Sequence, residues 1–128
     1  MDNLVTVKKE QPVLPVMYIF VNSDLNMNKG KTAAQACHVT SQIIENIIRE
    51  AYEVSPPPQN YFTFMKWKRQ CTKIILKATT SELLELMKLP GATHFIDSGD
   101  RIPDNSLTAV GFPPSSDLEE LVKNYKLL

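Results

Sequence analysis

Two cysteines, two histidines and no excess of either charge leave this 128-residue chain with few chemical handles. Cys37 and Cys71 make no Cys-x-x-Cys pair, and with only His38 and His94 beside them a zinc set lacks both ligands and spacing. They read as the reduced thiols of a cytosolic protein. Lys+Arg and Asp+Glu number 14 each, so no global field draws the chain toward nucleic acid, and any RNA binding rests on local clusters. No apolar run approaches the ~20 residues of a membrane span, and the start of the chain has neither an apolar signal core nor an Arg-rich amphipathic segment. A soluble, cytoplasmic protein is expected. Neither Gly-x-Ser-x-Gly nor a glycine-rich phosphate cradle occurs, which removes the usual scaffolds of serine hydrolases and nucleoside triphosphatases.

One domain fits this length, with a core hiding roughly two thirds of the unfolded surface. Residues 1–14 mix charges with proline and read as a loose tail, leaving 15–128 as the folded domain. The run 16–21 predicts a buried strand. A long helix follows over about 32–52, with Ala33, Cys37, Thr40, Ile44, Ile47, Ile48 and Ala51 as its apolar stripe and Gln35, His38, Gln42, Glu45 and Arg49 opposite. Pro56, Pro57 and Pro58 end that helix. A short helix over about 60–69, a strand over 72–78, a helix over about 82–88 capped by Ser81, and a strand over 93–96 come next. This alternation predicts parallel strands with right-handed crossovers. A turn-rich loop over 97–105, a strand over 107–112 returning antiparallel to the third, and a last helix over about 116–125 complete the chain.

The residues Asp24-Leu25-Asn26-Met27-Asn28-Lys29-Gly30-Lys31 place two cations where a helix begins, although a helix N-terminus already carries partial positive charge. An anionic partner would resolve that conflict. In a mostly parallel sheet, ligands bind beyond the carboxyl ends of the strands, so the segment 29–32 and the Asp97 loop should share one edge. A lysine beside an aspartate offers charge stabilisation plus a carboxylate that orients or activates water, sufficient for ester hydrolysis. From the residues alone, Lys29 and Lys31 serve equally as solvated cations, and Asp97 before Ser98-Gly99 as the acceptor of an Asx turn. Gln35 and His38 lie on the same helix face as Lys31 and either extend the site or are ordinary surface groups. Cys37 falls on the apolar stripe as a small core residue. Lys66, Lys68 and Arg69 around Trp67, with Lys73 and Lys77, either follow a phosphate backbone or line a solvated helix whose Trp67 is core.

The stretch 24–38, with Ala33-Ala34-Gln35 and His38 after the lysines, resembles the opening signature of the archaeal and eukaryotic type of peptidyl-tRNA hydrolases. The resemblance continues at Trp67, at 73–77, at Phe95-Ile96-Asp97-Ser98-Gly99, at 107–111 and at Tyr125-Lys126-Leu127-Leu128. It implies a three-layer α/β/α domain with a four-stranded mixed sheet. It further implies hydrolysis, without a metal or other cofactor, of the ester joining a peptide to the terminal ribose of tRNA. Lys31, Asp97 and Thr108 match the family's catalytic positions, and Lys29, Gln35, His38, Ser98, Arg101 and Lys68 are the substrate-binding candidates. The implied partner is peptidyl-tRNA, with no membrane and with a homodimer left open.

After Asp97 the chain departs from the family pattern: Ser98-Gly99-Asp100-Arg101-Ile102 stands where Ala-Gly-Arg-Thr-Gln is usual, and the loop is one residue shorter. Arg101 would replace the family arginine after a shift, whereas Asp100 adds a charge that repels phosphate. The alternative function is therefore a catalytically weak module that binds RNA or a protein through the same edge.

Overall fold

The computed structural model describes residues 14–99 and 102–128. The expected tail therefore lies outside the described residues, apart from Leu14, and so do Asp100 and Arg101.

The apolar run at the start of the domain forms β1 (Met17–Asn22), all six residues of which are buried. Its alternating side chains feed two separate cores. Met17, Ile19 and Val21 pack with Val39, Ile43, Ile47, Phe64 and Trp67 on one face. Tyr18 and Phe20 pack with Leu76, Leu83, Leu86, Val110 and Phe112 on the other. A strand buried on both faces has no reason to alternate apolar with polar residues, which is why its sequence is a continuous run.

The first core lies beneath α1 (Lys29–Glu53) and α2 (Gln59–Trp67), the second beneath α3 (Thr80–Leu86). The remaining strands are β2 (Lys73–Ala78), β3 (Thr93–Gly99) and β4 (Ile102–Gly111), followed by the single turn α4 (Glu119–Val122) and the two-residue β5 (Lys126–Leu127). The sheet thus has five strands, one more than expected, in the order β3-β4-β1-β2-β5. β2 runs parallel to β1, while β4 is antiparallel to both β1 and β3. β3 therefore points the same way as β1 without touching it, because β4 is inserted between them.

Several expected boundaries shift. Asp97 and Ser98 belong to β3 and residues 102–105 to β4, so the presumed loop is mostly an irregular hairpin, with register breaks beside Asp97 and Asn105 at φ 60°. α3 is capped by Thr79, not Ser81: its hydroxyl accepts from Glu82 N, and the Glu82 carboxylate accepts from Thr79 N. The last helix is far shorter than 116–125, a single turn over Glu119–Val122, and residues 126–127 beyond it pair with β2.

The stripe of α1 also runs differently. Gln35, Val39, Ile43 and Ile47 are its buried line, whereas Cys37 is exposed. The line begins with a polar residue, so choosing the stripe by apolarity alone sets its phase wrongly. α1 lies close on β4: a Cβ at Gly111 would stand 2.8 Å from Ile43 Cδ1 and 3.4 Å from Val39 Cγ1. Gly111→Ala should cost about 1–3 kcal/mol in urea denaturation, because it overpacks this contact. Ile43→Val removes the opposing methyl, so the double variant should lose measurably less than the sum of the two single losses. Strict additivity would show that the close approach is not the constraint.

Candidate active site

Segment 23–28 carries the chain from the carboxyl end of β1 to the start of α1, and polar groups hold it in place. The side-chain amide of buried Asn22 donates to Leu107 O and Thr80 Oγ1, both at 2.8 Å, while its oxygen accepts from Asp24 N. Asp24 Oδ2 in turn accepts from Thr80 N, an otherwise unpaired donor at the start of α3. The turn passes through Asn26 at φ 50°, a left-handed conformation that asparagine tolerates better than most residues. Asn28 then caps α1, its side-chain oxygen accepting from Lys31 N at 2.8 Å.

This start places Lys31 opposite the end of β3. Its ammonium lies 2.8 Å from Asp97 Oδ2, and the two side chains keep 30% and 25% of their surface exposed. The same carboxylate oxygen accepts from Gln35 Nε2 at 2.8 Å, and Oδ1 accepts from Ser98 N at 2.8 Å. Behind them, Thr108 on β4 donates to Gln35 Oε1 at 2.6 Å, with Phe95 O a second acceptor at 3.2 Å. Gln35 and Thr108 are both 0% exposed. A polar chain therefore runs from the core to a half-open ion pair, which a merely solvated salt bridge would not have. The space for the lysine comes from Gly99, where a Cβ would stand 2.9 Å from Lys31 Nζ.

Lys31, Gln35, Asp97, Ser98 and Thr108 are thus brought into one connected group. Gln35, expected on the substrate side, and Thr108, expected among the reacting groups, both stand behind the exposed pair. Lys29 is an exposed residue at the first position of α1. His38 is exposed and stacks on Phe95, with ring centroids 4.7 Å apart. Lys68 is not part of this group. It lines a groove with Ile48, Ala51 and Tyr52 at the far end of α1, roughly 25 Å from Lys31 at 1.5 Å per helical residue. Trp67 is core, its indole N–H donating to Thr72 O at 2.7 Å, and Lys73 Nζ sits 5.2 Å from its ring centroid. Arg101 lies outside the described residues. Among the described residues, no group of three or more His, Cys, Asp and Glu side chains could hold a metal ion.

Asn22, Phe95 and Gly99 escape sequence reasoning as contributors to this end of the sheet. Asn22 alone carries a signal, as a polar residue closing an otherwise apolar strand.

The hydrogen bond from Lys31 holds the Asp97 carboxyl below the usual carboxylate range, helped by Gln35 and the Ser98 N–H against the opposing effect of burial. A lysine and a carboxylate are thus locked together at a solvent-facing sheet edge, backed by a buried amide and hydroxyl, a pair of groups able to stabilise charge and to orient water. A family model described as peptidyl-tRNA hydrolase PTH2 matches residues 15–128. The peptidyl-tRNA hydrolase of Methanococcus vannielii is 36% identical over 120 residues, which span 86% of this chain and 96% of that protein. The peptidyl-tRNA hydrolase of Methanothermobacter thermautotrophicus is 30% identical with the same coverage. The probable peptidyl-tRNA hydrolase 2 of Dictyostelium discoideum is 31% identical over 85% of this chain and 52% of its own length. The chain belongs to the type 2 peptidyl-tRNA hydrolase family.

The depressed Asp97 value has a signed consequence. Its stabilising contribution is fully present above the ordinary carboxylate value of ~3.9 and is lost as pH falls through the lowered folded value. In carboxyl-carbon NMR, Asp97 should titrate below that ordinary value in the wild type and move upward in Lys31→Met. An unmoved midpoint would show that the ammonium does not hold the carboxylate.

Proposed function

We propose that this chain hydrolyses the ester of peptidyl-tRNA, releasing the peptide and free tRNA, with Lys31 and Asp97 as the catalytic pair. The carrying observation is the 2.8 Å contact between Lys31 and Asp97 at the solvent boundary, with buried Gln35 and Thr108 behind it.

The roles follow from charge and access. A general base works best with a pKa near the operating pH, and Asp97 is pushed the other way, so it is a poor proton abstractor. Its carboxylate can accept about four hydrogen bonds, and three come from described residues, which leaves a position for the attacking water. Asp97 orients that water and holds Lys31. As the water oxygen adds to the ester carbonyl, negative charge grows on the carbonyl oxygen, and the ammonium of Lys31 stabilises it. The acyl–oxygen bond then breaks, one proton of the attacking water passes to the ribose oxygen, and the peptide leaves with a carboxyl group that contains the water oxygen. Gln35 and Thr108 touch no substrate: they position Asp97.

Lys29, His38 and Ser98 bind the terminal nucleotide around this pair, Arg101 is a further substrate-binding candidate by its sequence alone, and Lys68 contacts phosphate farther along the acceptor arm. Its separation from Lys31 suits a long polyanion. The reaction belongs to the cytoplasm, and among the described residues no helix is long and apolar enough to cross a membrane.

Lys31→Ala should lower turnover of peptidyl-tRNA by ~10²-fold or more with the fold intact by circular dichroism, the loss typical of removing one electrostatic stabiliser. Equal turnover at saturating substrate would overturn the assignment. Lys68→Ala should instead weaken binding and reduce the salt slope by about one, with little change at saturation. RNA binding without any turnover by the wild type would favour a binding module.

A further inference from the structure

α1 lies over the edge strand β3 in register. Lys31 stands over Gly99 and Asp97, Gln35 bonds Asp97, and His38 covers Phe95. Moving one pleat back from Asp97 along the same face of β3 therefore leads to an aromatic pair in place of the charged one. The rings of His38 and Phe95 are stacked at 4.7 Å with 26° between their planes. Phe95 is the inner member, partly buried against the core beneath α1, while His38 is exposed. The outer side of β3 has no neighbouring strand among the described residues, so the pair stands on an open flank.

We propose that the stacked His38 and Phe95 are a platform for the unpaired terminal base of the tRNA, which lies flat on His38. The proposal rests on the hydrolase reading and specifies how that site takes its substrate. The reacting ester is carried by the ribose of the last nucleotide, so a base seated on His38 delivers its own ribose to the neighbouring position on β3. That position is Asp97, about 7 Å away for residues two apart on a strand. Unpaired ends are the parts of RNA whose bases are free to stack on Phe, Tyr, Trp or His side chains. A ring already backed by a second ring is held flat, so little of its own freedom is lost when a third arrives. Stacking engages the π-face that every base has, so the platform detects the presence of a base with little regard to its identity.

The test measures binding without turnover. The probe is a fluorescent minihelix RNA with an unpaired 3′ end and an amide-linked acyl group in place of the ester, compared with the same RNA lacking only the terminal base. Wild type should bind the intact probe about tenfold more tightly than the abasic one, within the range of base stacking on an aromatic side chain. Replacing the terminal adenine by guanine should change affinity less than threefold, the tolerance expected of stacking. His38→Ala should bind the intact probe about tenfold more weakly and lose nothing further on the abasic probe. His38→Phe should recover the discrimination.

Equal affinity of wild type for both probes overturns the platform, as does no binding at all, or undiminished discrimination by His38→Ala. A loss that follows the acyl group instead of the base would assign the pair to the peptide and overturn the proposal equally. The two readings separate cleanly. Ester hydrolysis without base discrimination removes the platform and leaves the hydrolase, whereas discrimination without hydrolysis does the reverse.

Discussion

The carboxylate of Asp97 takes its position from three donors: Lys31 and Gln35 on α1, and the backbone of the next residue in β3. Each donor depends on a different part of the fold. Lys31 points correctly only because Asn28 fixes the first turn of α1, and Gln35 presents its amide nitrogen to Asp97 because Thr108 occupies its amide oxygen. The Ser98 N–H is available because Asp97 sits inside an irregular strand segment instead of a flexible loop. Removing any one support leaves a polar group at least partly desolvated without its partner, which costs more than the bond itself contributes.

Sheet topology makes this arrangement reachable. β4 stands between β1 and β3, antiparallel to both, so the chain that leaves β1 must pass over β4 for α1 to reach the edge strand. The close contact at Gly111 lets α1 settle low enough to do so. α1 meets Asp97 on β3 through Lys31 and, one turn later, through Gln35, which also covers Thr108 on β4. The buried hydroxyl, the buried amide and the open carboxylate thus form a line from the interior outward. Such a line restricts Asp97 to one orientation, and preorganisation of this kind lets an electrostatic stabiliser act without rearranging during reaction.

The charges are local, as a chain with equal numbers of acidic and basic residues requires. Lys29 and Lys31 open α1 and Lys68 stands near its other end, so the helix spans the positive features on one side of the sheet. Lys73 is partly engaged over the ring of Trp67, which separates it from a simple basic patch. Family membership carries the hydrolytic chemistry, and the edge of β3 holds the lysine and carboxylate proposed to perform it.

By itself the sequence determined the α/β class, the buried central strand, the long first helix and the pairing of the segment around Lys31 with Asp97. These follow from short-range periodicity and from the rule that ligands gather beyond parallel strand ends. Only the tertiary structure decided the phase of α1, because a polar Gln35 heads its buried line and finds its partners on β3 and β4, more than sixty residues away. It alone exposed Cys37, turned the expected loop after Asp97 into a hairpin, added β5 at the far edge and separated Lys68 from Lys31 by most of a helix. It also set His38 on Phe95. Each of these rests on contacts between residues distant in sequence, and local pattern carries no information about which distant polar group will satisfy a buried amide.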